Sequence, residues 1–172
     1  KFPTTWDDLP AMLRALKAKL PADVVPYNVN PGSYWIPHAY LYTFGGALLN
    51  PDNKSVPWES PEMLACVTYF QNLKREGLVS WVPNSDGFYA GKHVMTTDSS
   101  ASLTNHIKRS NFDLGVAKIP KGKKQSAIIG GGSLYMFAGK SRGEVEGTWD
   151  FMKFMTSKHS QVTWSNGTGY LA

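Results

Sequence analysis

Three short segments of this chain carry polar groups that suit the binding of a small hydrophilic ligand. They are residues 95–100 (MTTDSS), 127–134 (AIIGGGSL) and 168–171 (TGYL). The first offers hydroxyls, the second bare backbone amides, and the third a phenol. Consecutive backbone amides can form a concave surface that binds an anion. These groups together indicate hydrogen bonding to a ligand rather than covalent chemistry.

Two small residues in these segments are candidates for ligand contact. Ser99 lies where a predicted strand ends and a helix begins, and the N-terminus of a helix favours an anion. The structural alternative is that Ser99 or Ser100 only caps the helix. Gly131 can let a ligand approach the backbone closely, but a glycine between two strands also often marks a bulge or tight turn. Both interpretations stay open at this point.

Two aromatic residues are further candidates. Trp35, beside Tyr34, can present a flat ring to the C–H groups of a ligand or to a cation such as choline. The alternative is that Trp35 belongs to the core of the helix that follows. Tyr170, next to Gly169, can donate one hydrogen bond, unless this end of the sequence is poorly ordered.

Enzymatic sites are weakly represented in the sequence. The four histidines and the single Cys66 lack metal-ligand spacing, and neither a Gly-x-Ser-x-Gly elbow nor a Walker phosphate loop is present. Asp98 and Ser99 are neighbours, but adjacent residues on a strand point to opposite faces, so the pair is not a dyad. A small esterase using Ser99 is the least favoured function. We predict no catalytic residues, no metal and no cofactor.

Alternating helices and short strands must position these residues. Apolar spacing predicts a first helix between Trp6 and Leu20, although Pro10 obscures its start. Residues 60–62 (SPE) are typical of a helix start, and Gly77 of its end. Strands are predicted at 24–27, 93–97, 112–119, 126–129 and 133–137, and further helices at 34–44, 99–109, 145–155 and 159–164. This alternation predicts an α/β fold.

Length and composition fit one globular domain. The chain has 172 residues, of which 42% are hydrophobic and 18% charged, which argues against disorder. No apolar run approaches the length of a membrane span. The formal net charge is +5, but the one basic cluster, between Lys118 and Lys124, is predicted to be a solvated loop. No nucleic-acid partner is therefore expected.

The order and spacing of the three polar segments resemble the solute-binding proteins of bacterial ABC importers. Residues 95–102 and 127–134 are similar to the glycerol-3-phosphate-binding subgroup of this family, and residues 44–46 (FGG) and 149–155 to the family in general. The resemblance extends over nearly the whole chain. It implies an α/β lobe of the type II periplasmic-binding-protein kind, with a short mixed sheet flanked by helices.

The resemblance also implies a function for the candidate residues. Residues 1–172 would be a single lobe of a two-lobed protein, with the first lobe and the C-terminal region absent. The protein would capture glycerol-3-phosphate or a related glycerophosphodiester between its lobes and deliver it to a membrane permease. Ser99 and the Gly131 amide would bond the polar part of the ligand, Trp35 would pack on its carbons, and Tyr170 would approach from the hinge. The location would be periplasmic or otherwise extracytoplasmic, with a lipid anchor on the full-length protein left open.

One position departs from the subgroup and leaves the ligand open. Three residues before Trp35, where the subgroup has a second tryptophan, this chain has Gly32. This difference implies a wider or differently shaped pocket. An oligosaccharide on the same fold is the alternative ligand. A further hypothesis is a protein-interaction module that docks on a membrane permease through surface loops, which is compatible with the glycerophosphate-binding function.

Overall fold

The computed structural model describes residues 2–32 and 34–170, and within them the chain forms two compact units. Unit 1 comprises Lys1–Asp98 and Ser110–Ile129, and unit 2 comprises Ser99–Arg109 and Gly130–Ala172. Along the chain the elements are α1 (Leu9–Lys17), β1 (Val25–Asn28), α2 (Trp35–Thr43), α3 (Pro61–Arg75), β2 (Val79–Ser80), α4 (Asp86–Tyr89), β3 (His93–Thr96), a 3₁₀ turn (Ser100–Ser102), α5 (Leu103–Arg109), α6 (Arg142–Met155) and α7 (Lys158–Thr168). The predicted α/β character is confirmed. The interpretation of the whole chain as one lobe stays a prediction.

The sheet of unit 1 has the strand order β2-β1-β3. Both neighbours run parallel to β1, with Tyr27 opposite Val79 on one side and opposite Met95 on the other. Parallel strands joined by helices are buried on both faces, which suits the apolar β1 segment. We predicted a mixed sheet, whereas the three strands that the structure describes are all parallel.

Aromatic side chains dominate the core of unit 1. The Trp6 ring meets Tyr40 edge-on with ring centroids 5.2 Å apart and Phe70 at 5.4 Å, and Tyr40 stacks on Phe70 at 4.8 Å. Leu9 and Leu13 of α1 are fully buried against this cluster. Burial raises the pKa of the Cys66 thiol to about 12, so this cysteine is an inert core residue.

The helix starts follow their local capping signals. Ser60 accepts a hydrogen bond from the Met63 backbone N–H and is followed by Pro61 in the first turn, as predicted. The awkward Pro10 is also explained, because α1 begins only at Leu9 and the proline therefore lies in the first turn. The predicted helices at 34–44, 145–155 and 159–164 are confirmed as α2, α6 and α7, with ends shifted by a few residues.

The three strands predicted after residue 110 are wrong. The segments 112–119, 126–129 and 133–137 contain no strand. Residues 110–129 belong to unit 1, where Lys121 forms an isolated parallel bridge with Thr5, the Lys124 N–H donates to the Thr43 carbonyl at 3.3 Å, and Lys123 pairs with Glu62 at 2.9 Å. A strand forms only where another strand supplies its hydrogen bonds. Alternating apolar residues in these segments indicate an extended chain, but no described residue completes a ladder with them.

Unit 2 is built from α5, α6, α7 and the segment that follows Ile129. Its helices are well capped, since Ser141 and Glu144 form a reciprocal capping box at the start of α6. Its large apolar side chains are nevertheless exposed, among them Trp149, Phe151 and Phe154. Such a helix is stabilised in most proteins by packing of its apolar face. Among the residues described, no helix is long and apolar enough to span a membrane.

Candidate functional site

The carboxyl ends of the three strands form the first part of the candidate site, within unit 1. They lie at Asn28, Ser80 and Thr96, which are neighbours in the sheet because the strands are parallel. In open α/β sheets, ligands bind in the crevice outside these ends, at the point where the strand order reverses. With the order β2-β1-β3, that point is beside the central strand β1.

A closed triangle of hydroxyl groups lies at this edge of the sheet. Tyr40 donates to Thr97 Oγ1 at 2.6 Å, and the Tyr27 hydroxyl lies 2.7 Å from that of Tyr40 and 2.5 Å from Thr97 Oγ1. Burial is the main reason why the pKa values of both tyrosines are raised. The phenols therefore stay protonated and can donate. The triangle fixes the half-buried Thr97 immediately before Asp98, which accepts from Ser85 Oγ at 3.3 Å.

The Asn28 side chain holds the loop that follows β2, which we call the 81–85 loop. It is completely buried, and its amide makes four hydrogen bonds. Nδ2 donates to the carbonyls of Val82 (3.1 Å) and Asn84 (3.0 Å), while Oδ1 accepts from the Val82 N–H (2.9 Å) and from Ser80 Oγ (3.0 Å). All the hydrogen-bonding capacity of the amide is used. The loop is therefore fixed to the central strand.

His93 extends this network into the interior of unit 1. Its Nε2 lies 3.1 Å from Ser80 Oγ, whose proton goes to Asn28, so Nε2 carries the hydrogen and donates. Nδ1 is buried and has no hydrogen-bond partner among residues 2–32 and 34–170. Burial lowers the pKa of His93, because a proton on Nδ1 would leave a charged donor without an acceptor.

His93 should make the stability of the chain fall in mild acid. The unfolded-state pKa is about 6.5 and the folded-state pKa is lower. The contribution of His93 to the unfolding free energy is therefore complete above pH ~6.5, decreases as the pH falls toward the folded-state value, and changes no further below it. Urea unfolding at several pH values should show this slope in the wild type and a smaller one in His93→Gln. His38, whose pKa burial also lowers, contributes to the remaining slope, and so do carboxyl groups such as Glu62 and Glu76, whose pKa values are lowered by their hydrogen bonds to Lys123 and Arg14. The exposed His159→Gln is the matched control, and an unchanged slope in His93→Gln would contradict the assignment.

Trp35 belongs to unit 1 and is the first residue of α2. Its ring lies 4.5 Å from that of Tyr34, with 33° between the ring planes. Trp35 is half-buried, whereas Tyr34 is exposed. The two rings therefore form a small aromatic surface at the start of the helix. Neither of the two interpretations of Trp35 is excluded, since the same ring packs on the protein with one part and faces solvent with the other.

Ser99 belongs to unit 2, where it caps the 3₁₀ turn before α5. Its Oγ accepts from the Ala101 N–H at 3.2 Å, and its carbonyl accepts from the Ser102 N–H at 2.9 Å. The predicted capping role is therefore observed, and capping does not exclude a ligand contact by the same residue. A ligand contact by Ser99 stays a prediction, because the side chain is exposed and an accepting hydroxyl can still donate its own proton.

Gly131 and Tyr170 are brought together within unit 2. Gly131 has a φ of +141°, and a Cβ placed on it would lie 3.4 Å from the Tyr170 hydroxyl. The adjacent Gly169 ends α7 and packs on α5, since a Cβ there would lie 2.8 Å from that of Leu103. The phenol and the bare backbone at Gly131 thus lie side by side. The predicted Leu171 at the end of this motif lies outside the described residues.

Several residues of the site have no clear signal in the sequence. Asn28 is the last residue of a strand, and a polar residue there is ordinary. Tyr27 and Thr97 are 70 residues apart, and nothing in their spacing indicates that their hydroxyls meet. No group of three or more possible metal ligands is found in the described ranges 2–32 and 34–170.

The sequence profile of the bacterial extracellular solute-binding proteins matches residues 1–172. The sn-glycerol-3-phosphate-binding periplasmic protein UgpB of Pectobacterium atrosepticum is 32% identical over 66% of this chain and 28% of its own length. UgpB of Escherichia coli is 29% identical over 98% of this chain and 42% of its own length. The chain thus spans less than half the length of these relatives.

Solved structures show the same fold at lower sequence identity. The sugar-binding protein MalE of Xanthomonas citri matches with a TM-score of 0.85 and 16% identity, over 99% of this chain and 46% of that one. UgpB of Mycobacterium tuberculosis in complex with glycerophosphocholine matches with a TM-score of 0.78 and 18% identity, over 99% and 44%. The fold of such binding proteins, predicted from the resemblance, is confirmed.

Proposed function

The chain belongs to the family of bacterial extracellular solute-binding proteins, and we propose that it is part of the binding component of an ABC importer, with no catalytic role. Its ligand is glycerol-3-phosphate or a related glycerophosphodiester. The observation that carries this proposal is the sequence identity of 29–33% with the glycerol-3-phosphate-binding relatives. The second candidate ligand is an oligosaccharide, which the exposed aromatic surface of Tyr34 and Trp35 favours because sugar C–H faces pack on aromatic rings.

Each candidate residue has a defined role in this proposal. The Gly131 amide and the Tyr170 phenol, which lie side by side in unit 2, donate to the oxygens of the ligand. The Ser99 hydroxyl donates a further bond from the start of its turn. Trp35 packs on the carbons of the ligand. No cation is needed among these four residues, since neutral donors suffice for a polyol and stabilise a phosphate.

The protein partners follow from the same proposal. A first lobe and a C-terminal region of the same polypeptide complete the site, and a permease at the membrane receives the ligand. Phe151 and Phe154 are exposed and lie three residues apart on one face of α6, which supports a covering segment, because exposed apolar patches mark interaction surfaces. The protein acts in the periplasm or elsewhere outside the cytoplasm, with or without a lipid anchor, and has no nucleic-acid partner.

Calorimetric titration tests the identity of the ligand. A two-lobed protein that contains this chain is titrated with sn-glycerol-3-phosphate, glycerophosphocholine and maltotriose in turn. We expect a dissociation constant on the order of 1 μM for one of the two glycerophosphates, and about millimolar or undetectable binding to the 172-residue chain alone, because the opposing contacts are absent. Binding of maltotriose that excess glycerophosphate does not displace would establish the oligosaccharide alternative.

Substitution of Gly131 should weaken binding more than substitution of its neighbour. Gly131→Ala places a side chain at φ +141°, a region that L residues rarely adopt, with its Cβ in contact with the Tyr170 hydroxyl. We expect about a tenfold loss of affinity, corresponding to about 1.4 kcal/mol. Gly132→Ala is the matched control, since a Cβ there meets no atom within 4 Å. Equal affinities of the two variants in the same titration would contradict this role of Gly131.

A further inference from the structure

The position of Gly32 is closed by the 81–85 loop. A Cβ placed on Gly32 would lie 2.3 Å from the Pro83 carbonyl oxygen and 2.9 Å from its carbonyl carbon. Real Cβ atoms do not approach a backbone so closely, so no other side chain fits here unless the loop moves. Backbone therefore occupies the direction in which a side chain at position 32 would point.

The same segment leads from the sheet to Trp35. Asn30 is buried, and its Oδ1 accepts from the Gly32 N–H at 3.0 Å. One side of Gly32 is therefore fixed to Asn30 and the other is in contact with Pro83. Trp35 begins α2 three residues later. A displacement of the 81–85 loop would therefore change the contact between Pro83 and Gly32, which precedes Trp35 by three residues.

The loop itself is held by Asn28. Its amide contacts the backbone of Val82 and Asn84, on both sides of Pro83. The Asn28 amide itself is completely buried, so the loss of a partner leaves a buried polar group without its hydrogen bond, which is costly. This arrangement connects the central strand with Gly32 through a single rigid loop.

We propose that Asn28 is a positioning residue of the ligand site: it clamps the 81–85 loop against Gly32 and thereby sets the position of Trp35. The relevance to binding rests on the proposed role of Trp35, whereas the coupling itself does not. Gly32 is the second residue that this arrangement requires, since only a residue without a side chain leaves room for the Pro83 carbonyl. The shape of the site near Trp35 is therefore determined by a backbone loop and by a residue that does not touch the ligand.

Fluorine NMR of the chain labelled with 5-fluorotryptophan tests the coupling without any ligand. The chain has six tryptophans, and Trp→Phe variants assign their signals. We expect Gly32→Ala to shift the signals of Trp35 and Trp81 and to leave that of the core residue Trp6 unchanged. Gly115→Ala is the matched control, because a Cβ there meets no atom within 4 Å, and it should shift none of them.

Asn28→Asp supplies the second arm of this experiment. It replaces the two N–H donors by an oxygen that faces two carbonyls, so the loop is released. We expect the Trp35 and Trp81 signals to shift as in Gly32→Ala, and the double variant to add little, because residues that act through one loop are not additive. If Asn28→Asp does not fold, Gly32→Ala alone tests whether the contact between Gly32 and the 81–85 loop is coupled to Trp35.

The outcomes separate this proposal from the proposed function. A Trp35 signal that stays in place in Gly32→Ala overturns the coupling, whether or not the Trp81 signal shifts. In a two-lobed protein, Gly32→Ala should also weaken the binding of glycerophosphocholine or sn-glycerol-3-phosphate about tenfold, while Gly115→Ala should not. If the Trp35 signal shifts in both Gly32→Ala and Asn28→Asp but neither compound binds the unsubstituted protein, the ligand assignment fails and the positioning role of Asn28 stands.

Discussion

Trp6→Ala should lower the unfolding free energy of the chain by about 4 kcal/mol, within the range for removal of a buried aromatic side chain. Trp6 is 2% exposed, and its ring contacts those of Tyr40, Phe44, Tyr69 and Phe70. Its indole N–H also donates to Thr43 Oγ1 at 2.6 Å. The substitution therefore leaves both a cavity and a buried hydroxyl without its donor. Urea denaturation at pH 7.5 measures the loss.

The matched control for Trp6 is Trp58, which is 71% exposed. Trp58→Ala should change the unfolding free energy by no more than about 0.5 kcal/mol. The loss in Trp6→Ala has a consequence for the site, because the neighbouring Tyr40 carries the hydroxyl that bonds Thr97. Similar effects of the two substitutions would show that the aromatic cluster is not the core of unit 1.

Trp35→Ala should reduce the affinity for the ligand about 30-fold and leave the fold intact. An aromatic ring that packs on a ligand typically contributes about 2 kcal/mol, which converts to this factor. The fold should survive because Trp35 is the first residue of α2 and is only half-buried, while Ile36, Ala39 and Tyr40 anchor the helix. Titration of the ligand into a two-lobed protein that contains the chain measures the change.

The substitution Trp35→Phe gives a graded result for the same prediction. Phenylalanine retains a smaller flat ring, so its affinity should lie between those of the wild type and Trp35→Ala. Trp58→Ala again serves as the control, since this exposed tryptophan of unit 1 has no proposed ligand role, and its affinity should equal that of the wild type. Undiminished binding by Trp35→Ala, with unchanged unfolding, would remove Trp35 from the site.

The sequence alone determined the features that depend on neighbours within a few residues. The start of α3 is an example, because Ser60 bonds Met63 and Pro61 presets the first turn whatever else the chain does. The caps at Ser141 and Ser157 are equally local. The motif around Ser99 could therefore be placed at a helix start before any coordinates were known. The family resemblance rests on segments of this kind, and the candidate residues Trp35, Ser99, Gly131 and Tyr170 came from it.

Only the tertiary structure decided which distant groups meet. The clamp joins Asn28 to residues more than 50 positions away, and the hydroxyl triangle joins Tyr27 to Thr97 across 70. The strands predicted between 112 and 137 are absent for the same reason, since a strand is defined by a partner that local pattern does not specify. Gly32 shows both sides of this difference. The sequence shows that residue 32 is a glycine. Only the tertiary structure shows why a side chain does not fit there, because folding places the Pro83 carbonyl against Gly32.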